Sequence, residues 1–257
     1  MTTSRRKFLT SISMLAASSA MPLHAFNFGT LKKLRVVLVG TGIRGTTFWG
    51  KRLVNEYSDI LEFVGLSDIN PSRLEYGKMY IGANCPTFVD FDEMLKTTNP
   101  DLVIVTTKDS THHEFIIKGL EMGCDVLTEK PLTIDENKCQ AILDAEKKSD
   151  KNLIVGFNYR WSPYATEIKK LLKNNSIGKL VSVDFHWYLN TYHGASYFRR
   201  WHGEMNSGGS LWVHKATHHF DLLNWCINSE PSEVFAYGDL EFYGKNGPFR
   251  GKNCRSC

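Results

Sequence analysis

The sequence predicts an α/β protein whose first half is a parallel sheet flanked by helices. Short β-branched apolar runs such as Leu34–Val39 alternate with helical segments up to about residue 159. A glycine-rich turn follows the first run directly, as Gly40-Thr41-Gly42-Ile43-Arg44-Gly45. Farther on, residues 180–190 alternate between apolar and polar side chains, which is typical of a strand buried on one face. A parallel first domain followed by a second domain of different architecture is therefore expected.

Composition excludes several classes of protein. Of the 257 residues, 42% are hydrophobic and 23% are charged, which excludes disorder, collagen or a coiled coil for the chain as a whole. Lys and Arg number 31 against 27 Asp and Glu, so the net charge is +4, and Arg5, Arg6 and Lys7 carry part of it. The nearly neutral remainder gives no electrostatic reason to expect nucleic acid as a partner.

The first 25 residues resemble a Tat export signal. Ser4-Arg5-Arg6-Lys7-Phe8-Leu9 is a twin-arginine motif, and a short apolar run and small residues follow it. The alternative is a basic, disordered N-terminus. A signal at 1–25 predicts that the Tat machinery exports the folded protein to the periplasm. No other stretch is apolar enough for a stable membrane span.

The glycine-rich turn is a dinucleotide-binding fingerprint in its required context, between a strand and a helix that runs to about residue 55. Gly40 permits the turn, Gly42 lets the backbone approach a pyrophosphate, and Gly45 lets the helix pack closely. A second strand over residues 61–66 ends near Asp68, whose carboxylate would bind ribose hydroxyls and repel a 2′-phosphate. NAD is therefore expected rather than NADP. The alternative is a glycine turn in an unrelated α/β fold.

The alternation continues beyond the fingerprint. Strands are predicted over residues 101–106, 125–128 and 152–159, and helices over 112–122 and from the capping-box pattern at Thr133–Glu136 to about Lys148. Ligands bind at the carboxyl ends of parallel strands. The residues expected to meet there are Gly40, Asp68, Thr107, Glu129 and Asn158.

Four motifs resemble the Gfo/Idh/MocA oxidoreductases, the family of glucose–fructose oxidoreductase and inositol dehydrogenase. They are Thr107-Lys108-Asp109-Ser110-Thr111-His112, Glu129-Lys130-Pro131, Gly156-Phe157-Asn158-Tyr159-Arg160-Trp161-Ser162-Pro163, and the segment from Gly208 to Asp221. The resemblance implies a Rossmann domain at 33–155. It also implies a substrate domain at 156–257 with an open, mostly antiparallel sheet. Family members usually form dimers or tetramers through that sheet.

The resemblance further implies that Lys130 lies near both the nicotinamide and the substrate. An amine with a lowered pKa can take the proton of an alcohol during its oxidation. Glu129 and Pro131 would fix the turn that carries Lys130. His112 would lie on the cofactor side of the cleft, or it would only cap its helix. The predicted cofactor-binding residues are Gly40, Thr41, Gly42, Ile43, Arg44, Gly45, Asp68, Thr107, His112, Glu129 and Lys130.

The second half adds candidate substrate contacts. A helix is predicted from Pro163 to about residue 175, strands over 180–190 and 234–242, and a helix from Gly208 to about residue 226. On the last helix His214, His218 and Asp221 share one face. His214 stands where the family usually has Asp, and Lys108 stands where it usually has Pro.

Lys130, His218 and His214 are the predicted catalytic residues, and Arg160, Tyr192, His214 and His218 are the predicted substrate contacts. Tyr192 belongs to an aromatic and basic loop that suits a sugar or serves packing alone. The His214 and His218 pair could also bind a metal or be structural. Without a clear third ligand, no metal is expected.

The C-terminal end of the sequence lacks strands that the family usually has. Two strands make a poor sheet, so a truncated chain with an incomplete second domain is expected. Cys254 and Cys257 would be half of a metal or disulfide site, or part of a free tail.

The sequence as a whole predicts an exported NAD(P)-dependent oxidoreductase acting on the CH–OH group of a sugar, polyol or glycoside. One alternative is redox-neutral glycoside cleavage, in which oxidation, elimination and reduction leave NAD unchanged. The other is a ligand-binding or scaffold protein that has lost catalysis, an alternative that the His214 replacement favours.

Overall fold

A computed structural model describes residues 32–243, 246–248, 250–253 and 256 of the chain. The predicted export signal, Cys254 and Cys257 lie outside these residues. The described strands form one parallel sheet in the order β3-β2-β1-β4-β5-β6. Their bounds are β1 Leu34–Val39, β2 Leu61–Ser67, β3 Thr87–Phe88, β4 Leu102–Val105, β5 Asp125–Thr128 and β6 Leu153–Val155. The predicted Rossmann-type parallel sheet is confirmed.

Helices connect these strands, and beyond β6 the regular secondary structure of the described chain is helical. A π-helical segment, Arg44–Lys51, continues directly into α1. The α-helices are α1 Arg52–Tyr57, α2 Pro71–Ile81, α3 Phe91–Thr98, α4 His112–Glu121, α5 Glu136–Lys148, α6 Pro163–Lys173, α7 Thr191–Ala195, α8 Met205–Gly208 and α9 Thr217–Ile227. A second π-helical segment, Trp212–Ala216, leads into α9.

The central strand β1 is buried on both faces of the sheet. Val37 and Val39 pack into a core with Met94, Ile116 and Ile142, which come from α3, α4 and α5. The alternate residues of β1 pack into a second core on the opposite face, where Leu74 and Ile81 of α2 contribute. Burial on both faces explains why the strand is a continuous apolar run rather than an alternating one.

The cap of α5 differs from the sequence prediction. Thr133 was expected to open a capping box, but the Asp135 carboxylate caps the helix and accepts a hydrogen bond from the Lys138 amide at 2.9 Å. The buried Thr133 hydroxyl has no hydrogen-bond partner among the described residues. Asp and Thr both favour the N-cap position, so the composition of this segment alone did not decide between them.

The last strand of the sheet is shorter than predicted. Residues 152–159 were expected to be extended, but β6 ends at Val155, which pairs with Thr128 at the end of β5. Beyond that point a 3₁₀ turn over Asn158–Trp161 begins. The Gly156 amide still donates to the Thr128 carbonyl oxygen, and beyond it β5 offers no further ladder partner, so the chain turns away.

The helix predicted from Gly208 begins later in the structure. Helix α8 ends at Gly208, and Gly209 (φ +71°) and Ser210 (φ +102°) have left-handed backbone conformations. Glycine at such a position terminates a helix. The helical residues that carry His214 and His218 therefore start after Ser210, in the π segment and α9.

The strands predicted over residues 180–190 and 234–242 are not formed in the described part of the chain. All six described strands lie between residues 34 and 155, so no antiparallel second sheet is present there. An alternating pattern expresses the ability to form a strand, but the strand itself requires hydrogen bonds to a neighbour.

None of the described helices is long and apolar enough to cross a membrane.

Candidate functional site

The fingerprint lies where the strand order of the sheet reverses. Strand β1 has β2 on one side and β4 on the other. All three strands are parallel, so the loops that follow them lie at the same, carboxyl edge of the sheet. Gly40 follows β1 directly, and the Thr106 hydroxyl donates to its carbonyl oxygen at 2.6 Å. Crevices at this position of an open parallel sheet are the usual place for ligands.

The three glycines of the turn have different surroundings. Gly40 has φ +92°, and a Cβ there would lie 2.6 Å from the Thr106 carbonyl oxygen. A Cβ on Gly45 would clash with the Gly40 carbonyl oxygen and lie 2.6 Å from the Thr106 hydroxyl. A Cβ on Gly42, in contrast, would meet nothing within 4 Å. Gly40 and Gly45 are thus required by packing, whereas Gly42 borders open space that fits a cofactor pyrophosphate.

Asp68 lies buried beside this turn. One carboxylate oxygen accepts hydrogen bonds from the Thr41 amide at 2.9 Å and the Thr41 hydroxyl at 3.2 Å. The other accepts from the Asn70 amide at 2.9 Å. A carboxylate has about four acceptor positions, so ribose hydroxyls can still bind. Ile43 is exposed and has a helical backbone conformation directly before the π segment.

Glu129 ties the fingerprint to the turn that carries Lys130. Its Oε1 accepts from the Arg44 Nε at 2.9 Å and from the Trp49 indole at 2.8 Å. The Glu129 side chain is buried, whereas that of Arg44 is partly exposed. Both were predicted to contact the cofactor. The structure places them in an ion pair that joins two loops of the site.

Lys130 extends from the end of β5 toward the second half of the chain. Its Nζ donates to the His214 carbonyl oxygen at 2.6 Å. Burial lowers the pKa of Lys130 most, and the positive charges of Lys215 and Arg44 lower it further, against the opposing effect of Asp109 and Glu129. A neutral amine is therefore more accessible here than on a solvated lysine.

His112 connects the ends of β4 and β5. Its Nδ1 lies 2.9 Å from the Pro131 carbonyl oxygen and its Nε2 lies 3.3 Å from the Thr107 carbonyl oxygen. The ring is fully buried, and burial lowers the pKa of His112. His112 therefore holds the loop that carries Lys130 in position. It does more than cap its own helix.

His214 forms an acid–imidazole pair with a residue that sequence reasoning did not select. Its Nδ1 lies 2.5 Å from Oδ2 of Asp109, which is 3% exposed. The His202 ring stacks on the His214 ring at 4.7 Å, and burial lowers the pKa of His202 to about 4. The available signal was the position of Asp109, two residues after Thr107 at the end of a parallel strand.

His218 lies against Tyr159. The two rings stack at 4.1 Å with 6° between their planes. Burial lowers the pKa of His218 to about 3, and the positive charges of Lys130 and Lys215 add to that effect. The buried His218 Nδ1 has no hydrogen-bond partner among the described residues. His218 is thus a neutral imidazole with an unused polar atom.

Arg160 and Tyr192, the other predicted substrate contacts, are not brought together. Arg160 forms a bidentate ion pair with Asp221 on α9, and its Nε–Oδ2 distance is 2.7 Å. Tyr192 is 86% exposed. It makes none of the hydrogen bonds or ring contacts that join the described site residues. Within the described chain, no group of three His, Cys, Asp or Glu side chains could hold a metal ion.

Two family models match most of the chain. Residues 34–157 match the Gfo/Idh/MocA model described as "Oxidoreductase family, NAD-binding Rossmann fold". Residues 169–253 match its companion, described as "Oxidoreductase family, C-terminal alpha/beta domain". The NAD-binding fingerprint and the Lys130 turn both fall within the first match.

The individual proteins that this chain resembles are also oxidoreductases and dehydrogenases. YteT of Bacillus subtilis, named as an oxidoreductase, is 40% identical over 86% of this chain and 54% of its own. An inositol 2-dehydrogenase/D-chiro-inositol 3-dehydrogenase of Lactiplantibacillus plantarum is 25% identical over 78% of this chain and 54% of its own. The WlbA dehydrogenase of Chromobacterium violaceum, solved with NADH and UDP-GlcNAcA, matches with a TM-score of 0.66 at 27% identity, over 77% of this chain and 56% of that one. The chain therefore spans about half the length of the curated relatives it matches.

Proposed function

The chain belongs to the Gfo/Idh/MocA oxidoreductase family, and from that premise we propose that it is an exported NAD-dependent oxidoreductase acting on the CH–OH group of a sugar, polyol or glycoside. The observation that carries this proposal is the half-buried Lys130 amine. It lies on a turn that the Arg44–Glu129 ion pair joins to the glycine loop. The inositol dehydrogenase and the sugar-nucleotide complex among the relatives support a carbohydrate substrate.

Oxidation of an alcohol removes a hydride from carbon and a proton from oxygen. Bound NAD would supply the hydride acceptor. The neutral Lys130 amine would take the hydroxyl proton, because burial lowers the pKa of Lys130 and makes the neutral form accessible. The His214 carbonyl oxygen holds the Nζ by a hydrogen bond, which fixes its position before substrate arrives.

The two histidines would have different tasks. The unpartnered Nδ1 of His218 would bind a substrate hydroxyl, since a buried polar atom normally has a hydrogen-bond partner. Asp109 holds the His214 ring by its Nδ1, which leaves Nε2 to exchange a proton with substrate or solvent. This arrangement gives His214 a function at the position where the family usually has Asp.

Redox-neutral glycoside cleavage is a second candidate, and the twin-arginine segment favours it. Free NAD is scarce outside the cytoplasm, so an exported enzyme gains by retaining its cofactor. The two candidates differ in their products. Net oxidation accumulates NADH, whereas cleavage releases an aglycone with no net change in NAD.

The first test is the nucleotide that copurifies with the protein. The protein would be expressed in the cytoplasm, purified and denatured, and the released nucleotide would be identified by mass spectrometry. Stoichiometric NAD or NADH is the expected result. NADP would contradict the role given to Asp68, and a folded sample that neither releases nor binds NAD would contradict the proposed function.

A further inference from the structure

Lys215 is a buried lysine with no acidic partner in the described chain. The residue is 8% exposed, and its Nζ donates one hydrogen bond, to the Tyr159 hydroxyl at 2.8 Å. The same Nζ lies 5.1 Å from the centroid of the Tyr159 ring. Neither contact supplies a negative charge. A buried ammonium is costly unless it is paired, so the site lacks the anion that would balance it.

The neighbouring arginines do not share this deficit. Arg44 is paired with Glu129, and Arg160 is paired with Asp221. Lys130 donates to the neutral His214 carbonyl oxygen and supplies no negative charge to Lys215. The acidic group that faces this region, Asp109, is already bonded to His214. None of these three carboxylates is therefore left to pair with Lys215.

Lys215 and Tyr159 together have more hydrogen-bond donors than the described chain supplies acceptors for. An ammonium has three donors, and only one is used, in the bond to Tyr159. The Tyr159 hydroxyl accepts that bond, so its own proton is available to another acceptor. A carboxylate is an acceptor-only group with two oxygens, which matches both donors and the charge.

The walls around these donors suit a sugar ring. Tyr159 lies between His218 and Trp187, and its ring stacks on the indole at 5.3 Å with 21° between the planes. Trp187 is partly exposed, so the aromatic stack extends from the buried ammonium to the surface. These two neighbours cover the faces of the Tyr159 ring, so Trp187 is the aromatic side chain that can pack against the apolar C–H face of a pyranose ring, while polar groups bind the substituents.

We propose that Lys215 and Tyr159 bind the carboxylate of an acidic sugar, so that the substrate of this site is a uronic acid or its glycoside. This inference rests on the proposed function and specifies its substrate class. The same anionic chemistry could come from a phosphate of the cofactor, and the experiment below separates the two sources.

The test compares acidic and neutral forms of the same sugars. The NAD-loaded protein would be titrated by calorimetry with D-glucuronate and D-galacturonate, with their methyl esters, and with D-glucose and D-galactose. At least one uronate is expected to bind about tenfold or more tightly than its ester and its hexose, as expected for a charge-assisted hydrogen bond. Equal or weaker binding of both uronates would overturn the inference.

Two variants of Lys215 identify the group responsible. Lys215→Gln should remove the preference for the uronate, and Lys215→Arg should retain part of it because the charge remains. Lys169→Gln is the matched control, since Lys169 likewise donates only to neutral oxygens, the carbonyls of Trp225 and Cys226, and lies 5.4 Å from the aromatic ring of Trp225. The control should keep the preference. Circular dichroism and thermal melting would establish that each variant is folded.

The outcomes separate this inference from the proposed function. If Lys215→Gln weakens NAD binding and leaves the uronate preference intact, the ammonium pairs with the cofactor and the inference is wrong. If neutral sugars reduce NAD and uronates do not, the function stands and the inference fails. If uronates bind through Lys215 but no sugar reduces NAD or is cleaved, the inference stands and the proposed function fails.

Discussion

At the scale of single residues, the proposed chemistry depends most directly on the Lys130 amine. Lys130→Met should lower kcat by about a hundredfold or more, because general base catalysis contributes on that order. The NAD dissociation constant should stay nearly unchanged. In the wild type, activity in the oxidation direction should fall as the pH falls, because protonation removes the neutral amine. The lowered pKa of Lys130 places that loss at a lower pH than for a solvated lysine.

Lys138→Met is the control for this prediction. Lys138 also donates to a backbone carbonyl, that of Ser110 at 3.0 Å, but it lies on α5 and has no role in the proposed mechanism. Turnover that survives Lys130→Met would exclude Lys130 as the base. Absence of turnover in the wild type, with tight sugar binding, would favour a protein that retained only ligand binding.

Asp109 is predicted to act through His214. Asp109→Asn should lower kcat by about tenfold or more with little change in NAD affinity, because an amide no longer stabilises a protonated imidazole. Asp92→Asn is the matched change, since Asp92 pairs with Lys118 at the surface at 3.0 Å. Steady-state kinetics would measure both. An equal effect of the two substitutions would argue against a positioning role for Asp109.

At the scale of elements, two glycines of the same loop are predicted to have different roles, Gly45 in packing and Gly42 in ligand binding. Gly45→Ala should destabilise the fold by about 1–3 kcal/mol, because its Cβ would clash with the Gly40 carbonyl oxygen. Gly42→Ala should change stability by less than about 1 kcal/mol and weaken NAD binding at least about tenfold, because the Cβ would enter open space where the pyrophosphate is expected. Thermal unfolding with and without NAD measures both quantities. A Gly42→Ala variant with normal NAD affinity would contradict this location of the pyrophosphate.

Helix α9 should make the fold sensitive to acid. The unfolded chain protonates His218 near its ordinary pKa of 6.5, whereas in the folded chain burial lowers that pKa to about 3. Between these values the unfolded state binds more protons, so stability decreases as the pH falls through this window. For His218 alone the loss between pH 6.5 and pH 5 is about 2 kcal/mol.

Urea unfolding at several pH values would measure this loss. His218→Phe keeps an aromatic ring against Tyr159 and removes the titrating group, so its stability should depend less on pH in this range. His186→Phe, at an exposed position, should behave like the wild type. If the two variants show the same pH dependence, His218 is not the source of the acid sensitivity.

At the scale of the whole molecule, export is the prediction that most affects biological context. Replacing Arg5 and Arg6 with Lys should retain the protein in the cytoplasm, because the Tat receptor reads the arginine pair rather than charge alone. Cell fractionation and immunoblotting measure this, with Lys32→Arg and Lys33→Arg as the control. Periplasmic protein in the double variant would show that the twin-arginine motif is not the export signal. Assembly into dimers or tetramers also remains a prediction.

Local patterns determined the first domain of this protein. The apolar run of β1, the glycine turn and Asp68 are close in sequence, and the fold brings them together whenever a strand, turn and strand form in that order. The predicted boundaries of β1 and β5 therefore agree with the structure. Glu129, predicted at the carboxyl end of the strand over 125–128, also meets the glycine loop through Arg44, since strand ends share one edge of the sheet.

The tertiary structure alone decided which residues of the site meet. Asp109 and His214 are 105 positions apart, and Tyr159 and Lys215 are 56 apart. No periodicity or local spacing encodes such pairs, because they depend on how the helices after β6 pack against the sheet. The same reason explains residues 180–190, whose alternation is a property of the segment itself. A strand there would need hydrogen bonds to a neighbouring strand, and only the tertiary fold determines whether such a neighbour is present.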